Sequence, residues 1–215
     1  MIRTFFRLTL IVALVMALSR PALGQEPTPP STPTESAWSG SVSAAWYMLR
    51  DESDYIQPTV RADRNWLHLE TRYAYEDRKS LSFFAGANFE FGKDVKFAVT
   101  PMIGGLVGDV DGIIPAAELD FTVWRFEAYS EAEYVFDLND SDSKFFYMWS
   151  ELSVRPTEWL RAGLVTQRTR VYRTERDIQR GPLIGVSFSR IDATFYLFNP
   201  GADDHLAVLS IGVSF

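Results

Sequence analysis

The chain has no cysteine among its 215 residues and only two histidines, His68 and His205. The first absence excludes a disulfide framework, thiolate zinc and iron–sulfur sites, a cysteine nucleophile and a lipid-bearing cysteine at an export cleavage site. Cations are in deficit as well: 21 lysines and arginines stand against 28 aspartates and glutamates, a net charge of −7. A field of that sign repels phosphate backbones, so no nucleic-acid partner is expected. No apolar run reaches the roughly 20 residues a helix needs to span a bilayer. Beyond Ala37, no stretch holds the i, i+3, i+4, i+7 spacing of an amphipathic helix over three turns. What the chain does have is an odd mixture, 14% aromatic and 23% charged. That is too aromatic for a loop-rich protein and too charged for a helical membrane protein, so it calls for one apolar and one polar face along most of the length.

The start reads as an export signal. Arg3 and Arg7 precede an apolar run at residues 8–18, and Ala22, Leu23 and Gly24 give the small-residue spacing of a cleavage site. A signal peptide over 1–24, cleaved after about Gly24, is therefore expected. Its loss removes three arginines and no acid, leaving a more acidic chain. Residues 25–37, with Pro27, Pro29, Pro30 and Pro33, read as an extended proline-rich periplasmic linker.

From residue 38 to 215, period-two alternation recurs almost without interruption. It divides into twelve candidate strands, at 38–49, 55–61, 66–75, 80–91, 95–106, 116–123, 126–137, 144–154, 158–172, 180–188, 191–198 and 206–215. The connections alternate in kind. Those at 62–65, 92–94, 124–125, 156–157 and 189–190 are tight, and those at 51–54, 76–79, 107–115, 138–143, 173–179 and 199–205 are longer and acidic or mixed. Short turns at one end and longer loops at the other are the plan of an all-β fold, an up-and-down antiparallel transmembrane β-barrel of about twelve strands.

Alternation also sorts the faces. The run at 116–123 sends Ala117, Leu119, Phe121 and Val123 one way, and Glu118, Asp120 and Thr122 the other. A soluble barrel of twelve strands has an interior too wide for side chains to fill, so the charged face is expected inside and the apolar face against lipid. The candidate lumen residues are Arg61, His68, Glu70, Arg72, Glu90, Lys96, Glu118, Asp120, Glu127, Glu131, Glu133, Glu151, Arg161 and Asp192. Twelve strands tilted about 40° give a backbone diameter of roughly 24 Å before side chains narrow it. An acid-lined path of that kind concentrates cations and repels anions. The expected function is thus a narrow passive channel for small polar or cationic solutes; the alternative is a closed structural barrel whose carboxylates pair with Arg61, Arg72, Lys96 and Arg161.

The final strand alternates Leu209, Ile211, Val213 and a terminal Phe215 with Ser210, Gly212 and Ser214. Here the chain resembles Gram-negative outer-membrane β-barrel proteins. The resemblance covers the signal peptide, the strand and turn plan and the last strand. It implies an outer-membrane location, contact with outer-membrane lipid, and recognition of Phe215 by the barrel-assembly machinery. It implies no particular activity, because barrels of this plan include porins, lipases, proteases, adhesins and structural barrels.

Catalysis is not expected. Neither His68 nor His205 has a serine and an asparagine at a recognisable spacing, and Asp203 and Asp204 beside His205 read as solvated rim charge. No metal or organic cofactor is implied. Arg168, Arg170, Arg173, Arg176 and Arg180 form the most basic place in the chain, at the outer end of one hairpin. They suit lipopolysaccharide phosphates, which guanidinium groups match bidentately, or else a rim network with Glu175 and Asp177. For the interfacial aromatic girdles, Tyr75, Tyr134 and Phe136 are expected on the lipid side at the outer rim. Strict alternation points Trp66 and Trp159 into the lumen unless a bulge intervenes near the tight turns.

Overall fold

A computed structural model describes residues 37–50, 52–140, 144–171 and 177–215, with the side chains of 170, 171 and 177 excepted. The expected signal peptide and nearly all of the expected linker lie outside these residues. The strands are β1 (Ser39–Leu49), β2 (Tyr55–Arg64), β3 (Leu67–Tyr73), β4 (Leu81–Ala87), β5 (Phe89–Phe91), β6 (Val95–Val107), β7 (Gly112–Val123), β8 (Phe126–Asp137), β9 (Phe145–Thr157), β10 (Leu160–Val171), β11 (Asp177–Phe188), β12 (Ile191–Phe198) and β13 (Leu206–Ser214). Only Asn88 separates β4 from β5, and both pair with β6, so they act as one stave. Each stave pairs antiparallel with its sequence neighbours, and β1 pairs with β13 from Ser41↔Ser214 to Leu49↔Leu206. The result is a closed up-and-down barrel of twelve staves. Closure leaves no strand edge, which is the condition for crossing lipid with strands.

The pleat sorts the faces as alternation requires. Phe83, Ile103, Leu119, Leu152, Leu164, Ile184 and Ile211 are exposed on the outer face, while His68, Glu70, Arg72, Glu118, Glu131, Glu133 and Glu151 are buried within. A protein that hides its charges and exposes its branched and aromatic side chains is built for an apolar solvent.

The tight turns lie at the end that carries the start of β1 and the end of β13. There the Gly40 and Phe215 backbones exchange hydrogen bonds of 2.9 Å in each direction. Asn65, Trp124 and Ser189 take positive φ (55°, 54° and 57°) at the first position of two-residue turns. That sign matches the turn to the twist of the flanking strands.

Three aromatic placements differ from strict alternation. Trp66 and Trp159 do not point along a strand into the lumen: each lies within a turn, and both are well exposed, as are Trp38 and Trp124 at the same end. Beside Trp159, the β9–β10 register shifts between Leu160 and Ala162, the bulge that alternation alone could not locate. Tyr75 is the third. It is not an outer girdle residue, because Ala74 adopts φ 56° and breaks the alternation. The Tyr75 ring meets Tyr147 edge-on at 5.6 Å and packs with the interior cluster. Tyr134 and Phe136 do form an outward pair, with ring centroids 4.6 Å apart.

Candidate functional site in the barrel lumen

The lumen is built in two layers, because the inward positions change character along each strand. Toward the loop end most are apolar, with Tyr47, Phe84, Leu106, Ile114, Val135, Tyr147, Phe198, Leu206 and Val208 all buried, although Arg72 is loopward of Phe84 and Glu133 is level with Tyr147. They form two clusters, and Phe145 packs against both. Toward the turn end the inward positions are charged or small. The acid-rich reading of the lumen thus describes the lower and central part. The apolar groups of the upper part were visible as the alternate positions of the same strands.

Arg72 organises a network that crosses the interior from β2 and β3 to β7 and β8. Its side chain is 1% exposed. Nε donates to Glu70 Oε1 at 2.8 Å, and Nη1 donates to Glu131 and, at 3.3 Å, to Glu133. The guanidinium also lies 4.4 Å from the Tyr75 ring centre and 4.6 Å from that of Phe84, a cation–π sandwich that shields the pairs from water. Arg61 completes the cluster through Glu118 at 2.6 Å and Glu70 at 3.1 Å. The Tyr129 hydroxyl donates toward Glu118 and Glu131, each at 3.0 Å. His68 links Glu70 (3.4 Å) to Asp63 (2.8 Å). Four glutamates therefore face two arginines in one buried network, and Glu133 Oε1 is buried without a hydrogen-bond partner.

A second centre lies beside it, on β9, β10 and β12. Glu151 accepts from Trp149 Nε1 at 2.9 Å, from the Tyr196 hydroxyl at 2.8 Å and from Arg161 at 2.8 Å. Arg161 also donates to Thr194 at 3.0 Å. Beside both centres lies a cavity of about 210 Å³, bordered by Arg61, Tyr129, Glu131, Trp149, Glu151 and Tyr196. Its remaining side is closed by the small inward residues Ser43 and Ala45 of β1 and Ser210 of β13, so the strand pair that seals the barrel also leaves room inside it.

The other expected lumen residues lie lower. Glu127 pairs with Arg155 at 2.8 Å, and Asp192 accepts from Ser187 at 2.5 Å. Glu90, Lys96 and Asp120 border a separate hollow of about 340 Å³ near the Gly92 turn. Trp149 and Tyr196 were missed as lumen groups, although Trp149 shares a face with Glu151 at period two. Of the basic cluster, Arg168 and Arg180 face outward, where Arg168 lies 5.5 Å from the Phe146 ring centre and Arg180 is exposed. The Arg170 side chain, Arg173 and Arg176 lie outside the described residues, as do Glu175 and the Asp177 side chain.

A closed antiparallel barrel with an apolar exterior, a charged interior, tight turns at one end and longer loops at the other has the fold of a transmembrane barrel of the Gram-negative outer-membrane kind. No protein-family model and no curated protein matches the chain. Among solved structures, the KdgM porin is similar over 81% of this chain and 98% of its own, with a TM-score of 0.55 at 12% identity. A second structure, the KdgM porin in complex with disordered oligogalacturonate, covers the same shares with a TM-score of 0.53 at 13% identity. The Acinetobacter baumannii outer membrane protein Omp33 aligns over 84% of this chain and 99% of its own, with a TM-score of 0.43 at 11% identity. These likenesses concern the fold.

Proposed function

We propose that the protein is a narrow passive channel of the outer membrane that favours small cations over anions. The observation that carries this reading is the excess of carboxylates over guanidinium groups in the barrel interior, four glutamates to two arginines in the network that joins β2 and β3 to β7 and β8. A net negative lining in a water-filled, low-dielectric tube raises local cation concentration and opposes anion entry. The porin fold supports passive transport, and the KdgM complex holds an oligogalacturonate. The acidic lining here argues against an equally anionic sugar as the solute.

Conductance of the refolded mature chain in a planar bilayer under a potassium chloride gradient tests the reading. Stable steps with a reversal potential on the cation side are expected, with Glu118→Gln and Asp120→Asn moving that potential toward zero. Steps selective for anions, or no steps from a folded barrel, would overturn it.

A specific observation favours a second reading, a closed structural barrel. Arg72 is almost inaccessible and its ion pairs span the interior, while apolar side chains fill the loop-end layer. The same recording separates the two, because a closed barrel gives a heat-modifiable folded band on a gel and no conductance.

For the outer surface, Arg168 and Arg180 project from neighbouring strands of one hairpin on the lipid side. They are proposed to contact lipopolysaccharide phosphates, and Phe215 is proposed to carry the assembly signal.

A further inference from the structure

The central cavity has a chemistry more specific than a negative lining. Tyr47, Tyr129, Trp149 and Tyr196 border it, together with Arg61 and with Glu131 and Glu151, which are diagonal neighbours on the paired strands β8 and β9. Most of the hydrogen-bonding capacity of those two carboxylates is already engaged. Glu131 accepts from Arg72 and Tyr129, and Glu151 accepts from Trp149, Tyr196 and Arg161. A neutral solute would find its hydrogen-bonding partners at Ser43, Gln57, Thr59 and Ser210, small polar groups that do not oppose a cation either. An anion would meet two carboxylates at close range. A hard metal ion needs several oxygen ligands converging on one point. Among the described residues, no group of three or more His, Asp or Glu side chains is placed to hold a metal.

What such a site still offers is a negative field and aromatic rings. Both act on a cation that donates few hydrogen bonds, and rings attract such a cation through their quadrupole. The network around the cavity reinforces the field: Glu70, Glu118, Glu131, Glu133 and Glu151 outnumber Arg61, Arg72 and Arg161. A volume of about 210 Å³ is below the roughly 300–1,000 Å³ of pockets that hold drug-sized ligands, so the occupant is small.

We propose that the cavity beside Glu131 and Glu151 is a binding subsite for a small organic cation, a substituted ammonium group held against the Trp149 and tyrosine rings. This inference deepens the channel reading by naming the class of solute, and binding can be read without conduction. A cation resting there also supplies positive charge that the buried network lacks.

The test uses the refolded mature chain in detergent, with choline chloride as the probe and sodium chloride as the control at equal ionic strength. Trp149 borders the cavity, so its fluorescence reports occupancy. Choline should change the emission saturably and sodium should not. Trp149→Phe should remove the saturable component, although five other tryptophans still emit. Glu151→Gln and Glu131→Gln, on different strands, should each weaken binding about five- to tenfold, with the heat-modifiable gel shift confirming that each variant folds. In bilayers, choline added to potassium chloride should reduce the unit conductance with the same concentration dependence.

Saturable binding by a barrel that conducts nothing would uphold the subsite and remove the channel reading. Conductance without saturable binding or block would remove the subsite and leave the channel reading standing. An emission change equally large in Trp149→Phe, or equally strong with sodium, would also overturn the subsite.

Discussion

Arg72 on β3 and Glu131 on β8 meet inside the barrel, 59 residues apart in sequence, both almost fully buried. Neither strand neighbours the other in the sheet. The contact therefore braces two parts of the wall across the interior rather than along it. A guanidinium suits this position because its planar fork reaches Glu70, Glu131 and Glu133 together, and its faces stack on Tyr75 and Phe84.

Removing that brace should be costly. Arg72→Leu leaves several carboxylates buried without their counter-charge, and breaking a buried pair in this way costs about 3–5 kcal/mol. A matching fall in the urea midpoint of the refolded barrel is expected. The double change Arg72→Leu with Glu131→Leu should lose less than the single change, because it leaves one fewer orphaned charge. An Arg72→Leu barrel as stable as the parent would show that the cluster is hydrated.

The seam between β1 and β13 depends on a missing side chain. A Cβ at Gly40 would lie 2.9 Å from the Phe215 ring and 2.9 Å from the Arg61 carbonyl oxygen. Gly40→Val should therefore displace the terminal ring and slow closure of β1 on β13. Refolding rates followed by gel shift would register this, while Gly105→Val, where a Cβ meets nothing within 4 Å, serves as the tolerant control.

On the lipid side, Arg168→Ser with Arg180→Ser should lower affinity for lipopolysaccharide without unfolding the barrel, since both side chains face outward. Binding to lipopolysaccharide-doped vesicles should fall several-fold and become less sensitive to salt, as expected when charge pairs are removed. Unchanged affinity would assign the arginines to the rim alone.

Glu76, in the loop after β3, has its carboxyl pushed above the ordinary carboxylate range by burial, which outweighs the lowering by nearby Arg72. Both carboxylate oxygens are buried without a hydrogen-bond partner. A raised acid binds its proton more tightly in the folded state. Its stabilising contribution is present at low pH and is lost as pH rises from the unfolded carboxylate range through the folded value. Glu76→Gln should therefore raise the urea midpoint at pH 7 and leave it unchanged near pH 3. An equal effect at both pH values would rule out titration of Glu76 as the cause.

The strand plan and the faces were legible because they rest on local alternation. His68, Glu70 and Arg72 on one side, with Leu69 and Tyr73 on the other, need no partner strand to be sorted. The tight turns were legible for the same reason, as at Trp124, where the apolar phase changes across two residues. Trp66, Trp159 and Tyr75 were harder, since a turn, a bulge and the left-handed Ala74 shift the phase without an obvious Gly or Pro to mark the change.

By itself, the sequence determined an alternating chain with apolar and charged faces, a terminal strand of the outer-membrane type and a surplus of carboxylates, since side-chain direction in a strand follows directly from position. Only the tertiary structure decided which carboxylates share Arg72, that Trp149 and Tyr196 hold Glu151, and that a cavity lies beside them. Those relations join β3 to β8 and β9 to β12, strands that meet only through the interior. Ring closure sets their distances, and no local pattern encodes them.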